Sequence, residues 1–317
     1  MKNQVSRRDF LKSGILASFA FYAQSELMGM NPLKLFNAKD QKDIYRFNVG
    51  NFKCICINDG GHYYLPEQFF KNVEKEQLDS ILQKHNIPTD QIYTPYTHLI
   101  VDTGIHKVLM DMGAGKKLPN NGNLVKNMKS AGIEPFEIDS VFITHAHPDH
   151  IGGTLNDEGL PIYSNAQYYI WKDEWEFWFS ENAFDKTSVF FVNVAREQLG
   201  PIKDRMIQLD KESEILAGIR VISAPGHTPG HMVVSFVSEG EKLYYIGDTV
   251  LHPLHLEHPD WLPIYDILPE KAAESKIKIF NLVSDENALV IGQHFTPFPS
   301  LGHIIKQDVG WKWIPII

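Results

Sequence analysis

Between residues 44 and 113, apolar side chains alternate with polar ones or run in short blocks, as in IYRFNVG, FKCICIND, THLIVDTG and HKVLMDMGAG, with Gly, Asn and Asp at the block ends. A period of two closed by turn formers predicts paired β-strands joined by tight turns. The period lengthens at 123–132, where Leu124, Val125, Met128 and Ala131 fall at helical spacing and Gly132 supplies a stop. IDSVFIT then predicts a short buried strand ending at Thr144. Residues 166–199 read as helical, with Trp171, Trp175, Trp178 and Phe179 on a repeated face. Three more strands follow in IRVISAP, MVVSFV and KLYYIGD, then an amphipathic helix opened by Pro269, then ALVIGQH, a buried strand that ends in a histidine. Strands and helices are mixed throughout, without a repeat of solenoid period and without a linker after residue 40. The pattern predicts one α+β domain over residues 44–317, preceded by an extension over 26–43.

Composition narrows the partners. The chain has 317 residues, 43% of them hydrophobic, and a formal charge of −9. An acidic chain with no Lys/Arg run beyond its first dozen residues disfavours nucleic acid, which needs a basic face, and leaves a small molecule as the expected partner. Cys54 and Cys56 stand two apart on one face of a strand, roughly 6.5 Å from each other with parallel Cβ vectors, so they are expected as buried thiols. The N-terminal SRRDFLKSGILASFA, with Arg7 and Arg8 ahead of a short apolar run, resembles a twin-arginine export signal. That run is much shorter than the roughly 20 apolar residues that span a bilayer. The expectation is a removable leader over residues 1–25, a periplasmic or secreted protein, and no stable membrane span. A homodimer is among the oligomeric states left open.

The chemistry concentrates in THAHPDHIGG, where His145, His147, Asp149 and His150 follow a strand directly. In extended backbone His145 and His147 project to one side, and a turn at Pro148 would bring Asp149 and His150 beside them. Nitrogen and oxygen donors without cysteine suit a catalytic metal site, which keeps a position open, better than a closed structural one. Three later strand ends add His231, Asp248 and His294. Taken singly, each of these reads as a cap or turn residue. With the first cluster they complete a seven-residue donor set.

This ordered set resembles the metallo-β-lactamase superfamily from about residue 45 to the end. The resemblance implies a four-layer αββα sandwich with a dinuclear centre, usually zinc, although manganese, iron or cobalt suit such ligands too. It implies His145, His147 and His231 on one metal, Asp149, His150 and His294 on the other, and Asp248 bridging both. His227, in the same GHTPGH run, is then expected to be structural. Asp111, in VLMDMGAG, matches the family turn whose carboxylate supports a ligand imidazole.

GDTVLHPLHLEHPDW and the C-terminal GQHFTPFPSLGHIIKQDVGWKWIPI resemble the methyl parathion hydrolase-like branch, which includes phosphotriesterases, arylesterases and lactonases. Leu251 stands three residues beyond the bridging position, where acyl-homoserine lactonases typically carry tyrosine. The expected activity is hydrolysis of an ester-type bond, in an aryl ester, lactone or phosphotriester, by a hydroxide shared between the metals. Asp149 would pass a proton to the leaving group and Asp248 would join the two ions. A glyoxalase II-type thioesterase and a β-lactamase share this ligand logic, and an exported metal- or ligand-binding module is the non-enzymatic alternative. Trp178, Leu251 and His252 are the candidate pocket residues.

Overall fold

The computed structural model describes residues 42–316. The expected leader over 1–25 and nearly all of the extension lie outside the described residues. Two seven-stranded sheets form the body. The first runs in chain order, β1 (Ile44–Val49), β2 (Phe52–Tyr64), β3 (Ile92–Asp102), β4 (Lys107–Met110), β5 (Ser140–Phe142), β6 (Gln167–Trp171) and β7 (Met206–Leu209). The second comprises β8 (Ser213–Leu216), β9 (Ile219–Ser223), β10 (Met232–Ser238), β11 (Glu241–Tyr245), β12 (Leu289–Ile291), β13 (Leu301–Lys306) and β14 (Trp311–Pro315), again in chain order across the sheet. Each sheet begins antiparallel and contains parallel pairs, β4 with β5, β5 with β6, β6 with β7, and β11 with β12.

Alternation explains the layering. In β2, Cys54 and Cys56 are buried free thiols while Lys53 faces out. Burial pushes both thiols up, which keeps them protonated. The inner faces meet where the Thr97 N–H donates to the Gln293 carbonyl at 3.1 Å and the Tyr245 hydroxyl lies 3.1 Å from the Thr97 carbonyl. Outside the first sheet lie the helices Leu124–Ser130, Lys172–Phe179 and Val189–Leu199, packed through Met128, Trp178, Val192 and Ala195 onto Leu109, Val141 and Ile170. Outside the second lies Pro269–Asp285, which buries Ile279, Phe280 and Val283 against Val233, Tyr244 and Val290. This is the expected αββα sandwich.

One stretch departs from the sequence expectation. Residues 167–171 form a strand and the helix begins at Lys172. Tyr168, Tyr169 and Ile170 have the aromatic and β-branched character that suits a buried strand between β5 and β7, and Asp173 and Glu174 occupy the first helical turn, where acids are favoured. No helix among the described residues is long and apolar enough to cross a membrane.

The sandwich aims residues at one edge. The strands β4, β5, β11 and β12 end there, followed by Asp111, by 144–150, by Asp248 and by His294 respectively. β2 is bulged between Asn58 and Gly61, around Gly60 at φ 133°, and beyond the bulge it continues through His62 and Tyr64, paired with Thr94 and Ile92 of β3.

Candidate metal centre and pocket

Extended backbone at His147, followed by a single helical turn at Pro148–Ile151, sets the first cluster. His147 Nδ1 lies 3.0 Å from His145 Nε2 and 2.9 Å from His227 Nε2. Three ring nitrogens thus converge, and one hydrogen on His147 Nδ1 could satisfy only one of those approaches. The far nitrogens of two of the rings are occupied elsewhere: His227 Nδ1 is 3.0 Å from Asp266 Oδ1, and His145 Nδ1 is 3.2 Å from the Thr144 hydroxyl. Burial, and then the neighbouring imidazoles, push His145 and His147 well below the usual histidine range. Neutral imidazoles with lone pairs turned to a common point are what a divalent ion requires.

The second group is Asp149, His150 and His294. His150 Nδ1 pairs with Asp111 Oδ2 at 2.8 Å, so its Nε2 is the free nitrogen, facing Asp149 Oδ2 at 3.6 Å and Asp248 Oδ1 at 3.4 Å. His294 Nδ1 donates to the Pro95 carbonyl at 3.2 Å and leaves Nε2 facing Asp149 Oδ2 at 3.4 Å and Asp248 Oδ1 at 3.1 Å. Asp248 straddles both groups, with its Oδ2 3.4 Å from His227 Nε2 and 3.7 Å from His145 Nε2. Lone pairs facing carboxylates leave a gap for a cation: His150 Nε2 and Asp248 Oδ1 are buried and make no hydrogen bond. Burial opposes charge on His150, but the carboxylates of Asp248, Asp149 and Asp111 outweigh it and push the ring up, a demand for positive charge that metal would meet. The residues present therefore fit two divalent ions, in the groups His145, His147, His227, Asp248 and Asp149, His150, Asp248, His294.

This corrects the expectation for His231. Its Nε2 accepts the backbone N–H of Asp248 at 3.0 Å, so the lone pair is spent on holding the strand end in place. Gly247 allows that approach: at φ 48°, any Cβ would lie 2.8 Å from His231 Nε2. His227, expected to be structural, takes the converging position. GHTPGH offers two histidines that each follow a glycine, and nothing in their spacing separates the roles.

Three buried acids brace the cluster. Asp111, at φ 56°, receives the Thr144 N–H at 2.7 Å and hydroxyl at 2.8 Å as well as His150. A non-glycine residue held in the left-handed region is a cost that such a bonding network offsets. Asp266 supports His227 and lies 3.4 Å from the buried Lys276 Nζ. Although burial raises it, the His227 bond and the Lys276 charge win and hold Asp266 below the usual carboxylate range. Glu174 is fully buried. Its Oε1 accepts Ala146 N–H at 2.9 Å and Trp178 Nε1–H at 2.6 Å, and its Oε2 accepts the Thr228 hydroxyl at 2.6 Å and Gly230 N–H at 3.0 Å. Sequence reasoning identified Asp111 but not Asp266 or Glu174, which belong to no local pattern that marks them as buried.

A cavity of about 160 Å³ opens over the cluster. Its floor is His147, Asp149, His227, Asp248 and His294, and its walls include Tyr64, Phe69, Tyr96, Phe191, Leu251 and Tyr265. Of the expected pocket residues, Leu251 lines it. Trp178 does not, because its ring is fully buried and its N–H is bound to Glu174. His252 is also absent from the lining, since it packs against Phe69 and Phe70 with Nδ1 accepting the Leu254 N–H at 3.2 Å. The aromatic walls come from four separate parts of the chain, around 64–69, 96, 191 and 265, which no local pattern could connect.

Comparison with known proteins agrees with this geometry. The solved structure of AidC, a dizinc quorum-quenching lactonase in complex with a product, N-hexnoyl-L-homoserine, superposes with a TM-score of 0.81 at 27% identity, covering 87% of this chain and 98% of that one. The hydrolase AbOPH of the beta lactamase superfamily gives 0.81 at 28% identity, covering 88% and 99%. An N-acyl homoserine lactonase of Bacillus cereus is 24% identical over 200 residues, 63% of this chain and 69% of the relative. The atrochrysone carboxyl ACP thioesterase nsrC of Aspergillus novofumigatus is 31% identical over 152 residues, which are 48% of this chain and 37% of that protein. A family model described as the metallo-beta-lactamase superfamily matches residues 92–294, from the start of β3 through the last histidine of the cluster, and the chain belongs to that superfamily.

Proposed function

We propose that this hydrolase carries two zinc ions and cleaves uncharged ester-type substrates, lactones foremost. The observation that carries the reading is the character of the cavity: among the described residues that line it there is no lysine or arginine, while Asp149 and Asp248 lie in its floor. A substrate carboxylate held away from the metals would meet no lysine or arginine in this lining, at a cost of several kcal/mol where it is buried. β-Lactams and glutathione thioesters carry such carboxylates; lactones, simple esters and phosphotriesters do not. Lactonases among the relatives support the lactone.

His145, His147 and His227 would hold one ion, Asp149, His150 and His294 the other, and Asp248 both. Bound there, the metals would supply a nucleophile from water near neutral pH and polarise the substrate oxygen. The chain's own part is to fix the donors through Asp111, Asp266 and Glu174, to exclude water with the aromatic walls, and to offer Asp149 as the group that passes a proton to the departing oxygen. We place the protein in the periplasm or outside the cell, on the Arg7-Arg8 signal.

The test is a set of initial rates on zinc-loaded protein with a γ-lactone, an N-acyl homoserine lactone, an aryl ester and an aryl phosphotriester, against a penicillin and a glutathione thioester. An uncharged substrate should exceed both anionic ones by roughly 100-fold or more in kcat/KM, the equivalent of an unpaired buried charge. A preference for either anionic substrate overturns the reading. Metal binding without turnover of any substrate would favour a binding module.

A further inference from the structure

The cavity holds a pair of hydroxyls that the ligand set does not use. Tyr64, beyond the β2 bulge, and Tyr96, on β3, meet with their oxygens 2.6 Å apart. A hydrogen bond between two phenols consumes one proton and one lone pair. Whichever oxygen accepts keeps its own O–H, and neither hydroxyl has a further hydrogen bond in the structure. The pair therefore presents one unspent donor, and both rings line the cavity.

Its position is specific. The Tyr96 ring meets the His294 ring edge-on with centroids 5.2 Å apart, so the pair stands on the Asp149 and His294 side of the floor. A phenol is ordinarily protonated near neutral pH, so both serve as neutral donors. Leu251 lines the same cavity and offers no donor. A buried neutral donor beside two carboxylates is suited to an oxygen that gains negative charge during reaction, because donors fixed in a dry site are worth more there than in water.

We propose that the Tyr64–Tyr96 hydroxyl pair hydrogen-bonds an oxygen of the reacting ester and stabilises the charge that builds on it, acting as one donor unit. The inference rests on the ester-hydrolase reading above. It involves no change of bonding at the tyrosines, since the O–H is shared with the substrate oxygen, while the proton released by the attacking water passes by way of Asp149 to the departing oxygen.

The experiment uses zinc-loaded full-length protein and a simple γ-lactone with no second carbonyl, so that the reacting ester is the sole acceptor. Tyr64→Phe, Tyr96→Phe and the double variant are measured for kcat, KM, bound zinc and melting temperature. Loss of one fixed donor to a developing oxyanion predicts roughly a 10- to 100-fold fall in kcat, with KM and zinc content near wild type, in at least one single variant. The double variant should be no worse than the weaker single one, because the two hydroxyls form one unit. A double variant within about threefold of wild type overturns the proposal, as does a loss that follows zinc content or melting temperature. Wild-type protein inactive on every ester and lactone would instead remove the hydrolase reading, and the pair's role with it.

Discussion

Glu174 holds Ala146 by a 2.9 Å hydrogen bond, and Ala146 is the residue between His145 and His147. The other oxygen of the same carboxylate holds Thr228 and Gly230, so one buried acid joins the first histidine cluster to the loop that carries His227. The distance between two ligand-bearing segments is thereby set by a side chain that touches no ligand atom.

Glu174→Gln should test that linkage. An amide placed toward Thr228 can satisfy the hydroxyl, which rotates, but leaves the Gly230 N–H buried without an acceptor, at about 1–3 kcal/mol. The expected result is a folded protein with a lower urea midpoint and weaker metal retention against a chelator. Unchanged metal affinity would show that the carboxylate serves the fold alone.

His227→Ala and His231→Ala should differ in kind. The first removes a converging nitrogen and should abolish one binding site. The second removes the acceptor of the Asp248 N–H, so both ions should still bind, more weakly and with loss of stability. Counting zinc per chain after gel filtration separates the two. Loss of a whole site in the His231 variant, with the His227 variant intact, would return the ligand role to His231.

The contrast shows what was legible in the chain. His145 to His150 was readable because four donors crowd one strand end, where extended backbone directs alternate residues to one side. Asp248 and His294 were readable as polar residues closing apolar strands. The choice between His227 and His231 depends on which ring turns toward the cluster, and that is decided by Asp266 and by the Asp248 amide, 39 and 17 residues away. Trp178 misled for a related reason: an aromatic face at helical spacing says that rings are buried, not whether they border a cavity or the core beneath it.

Asp266→Asn should weaken metal binding without unfolding the protein. Orienting partners of ligand histidines typically contribute 10- to 100-fold in affinity, so a shift of about that size is expected in a zinc competition titration. Lys276→Met should act differently, because it strands the Asp266 carboxylate in the interior, at about 3–5 kcal/mol of stability. Equal effects of both substitutions on stability would mean that Asp266 serves the ion pair more than the histidine.

Asp59, which is outside the ligand set, gives a pH prediction. Burial pushes its carboxyl up to about 6, against the N–H groups of Ala114 and Leu124 that it accepts. With the folded value above the unfolded one, the folded chain holds the extra proton between about pH 4 and 6, so stability falls as pH rises through that window and is level above it. The shift of about two units corresponds to about 3 kcal/mol. Urea midpoints of Asp59→Asn and wild type, compared at about pH 4.5 and 7, should show a steeper decline for wild type. Parallel declines would contradict the assignment.

The proposed two-metal hydrolytic centre is gathered around Asp248. Zinc should be titrated into metal-free protein while bound metal and γ-lactone hydrolysis are followed on the same sample. Turnover should rise with occupancy to a plateau at two ions per chain, and Asp248→Asn should abolish both. Full turnover without metal, or a plateau in binding with no hydrolysis of any uncharged ester, would contradict it.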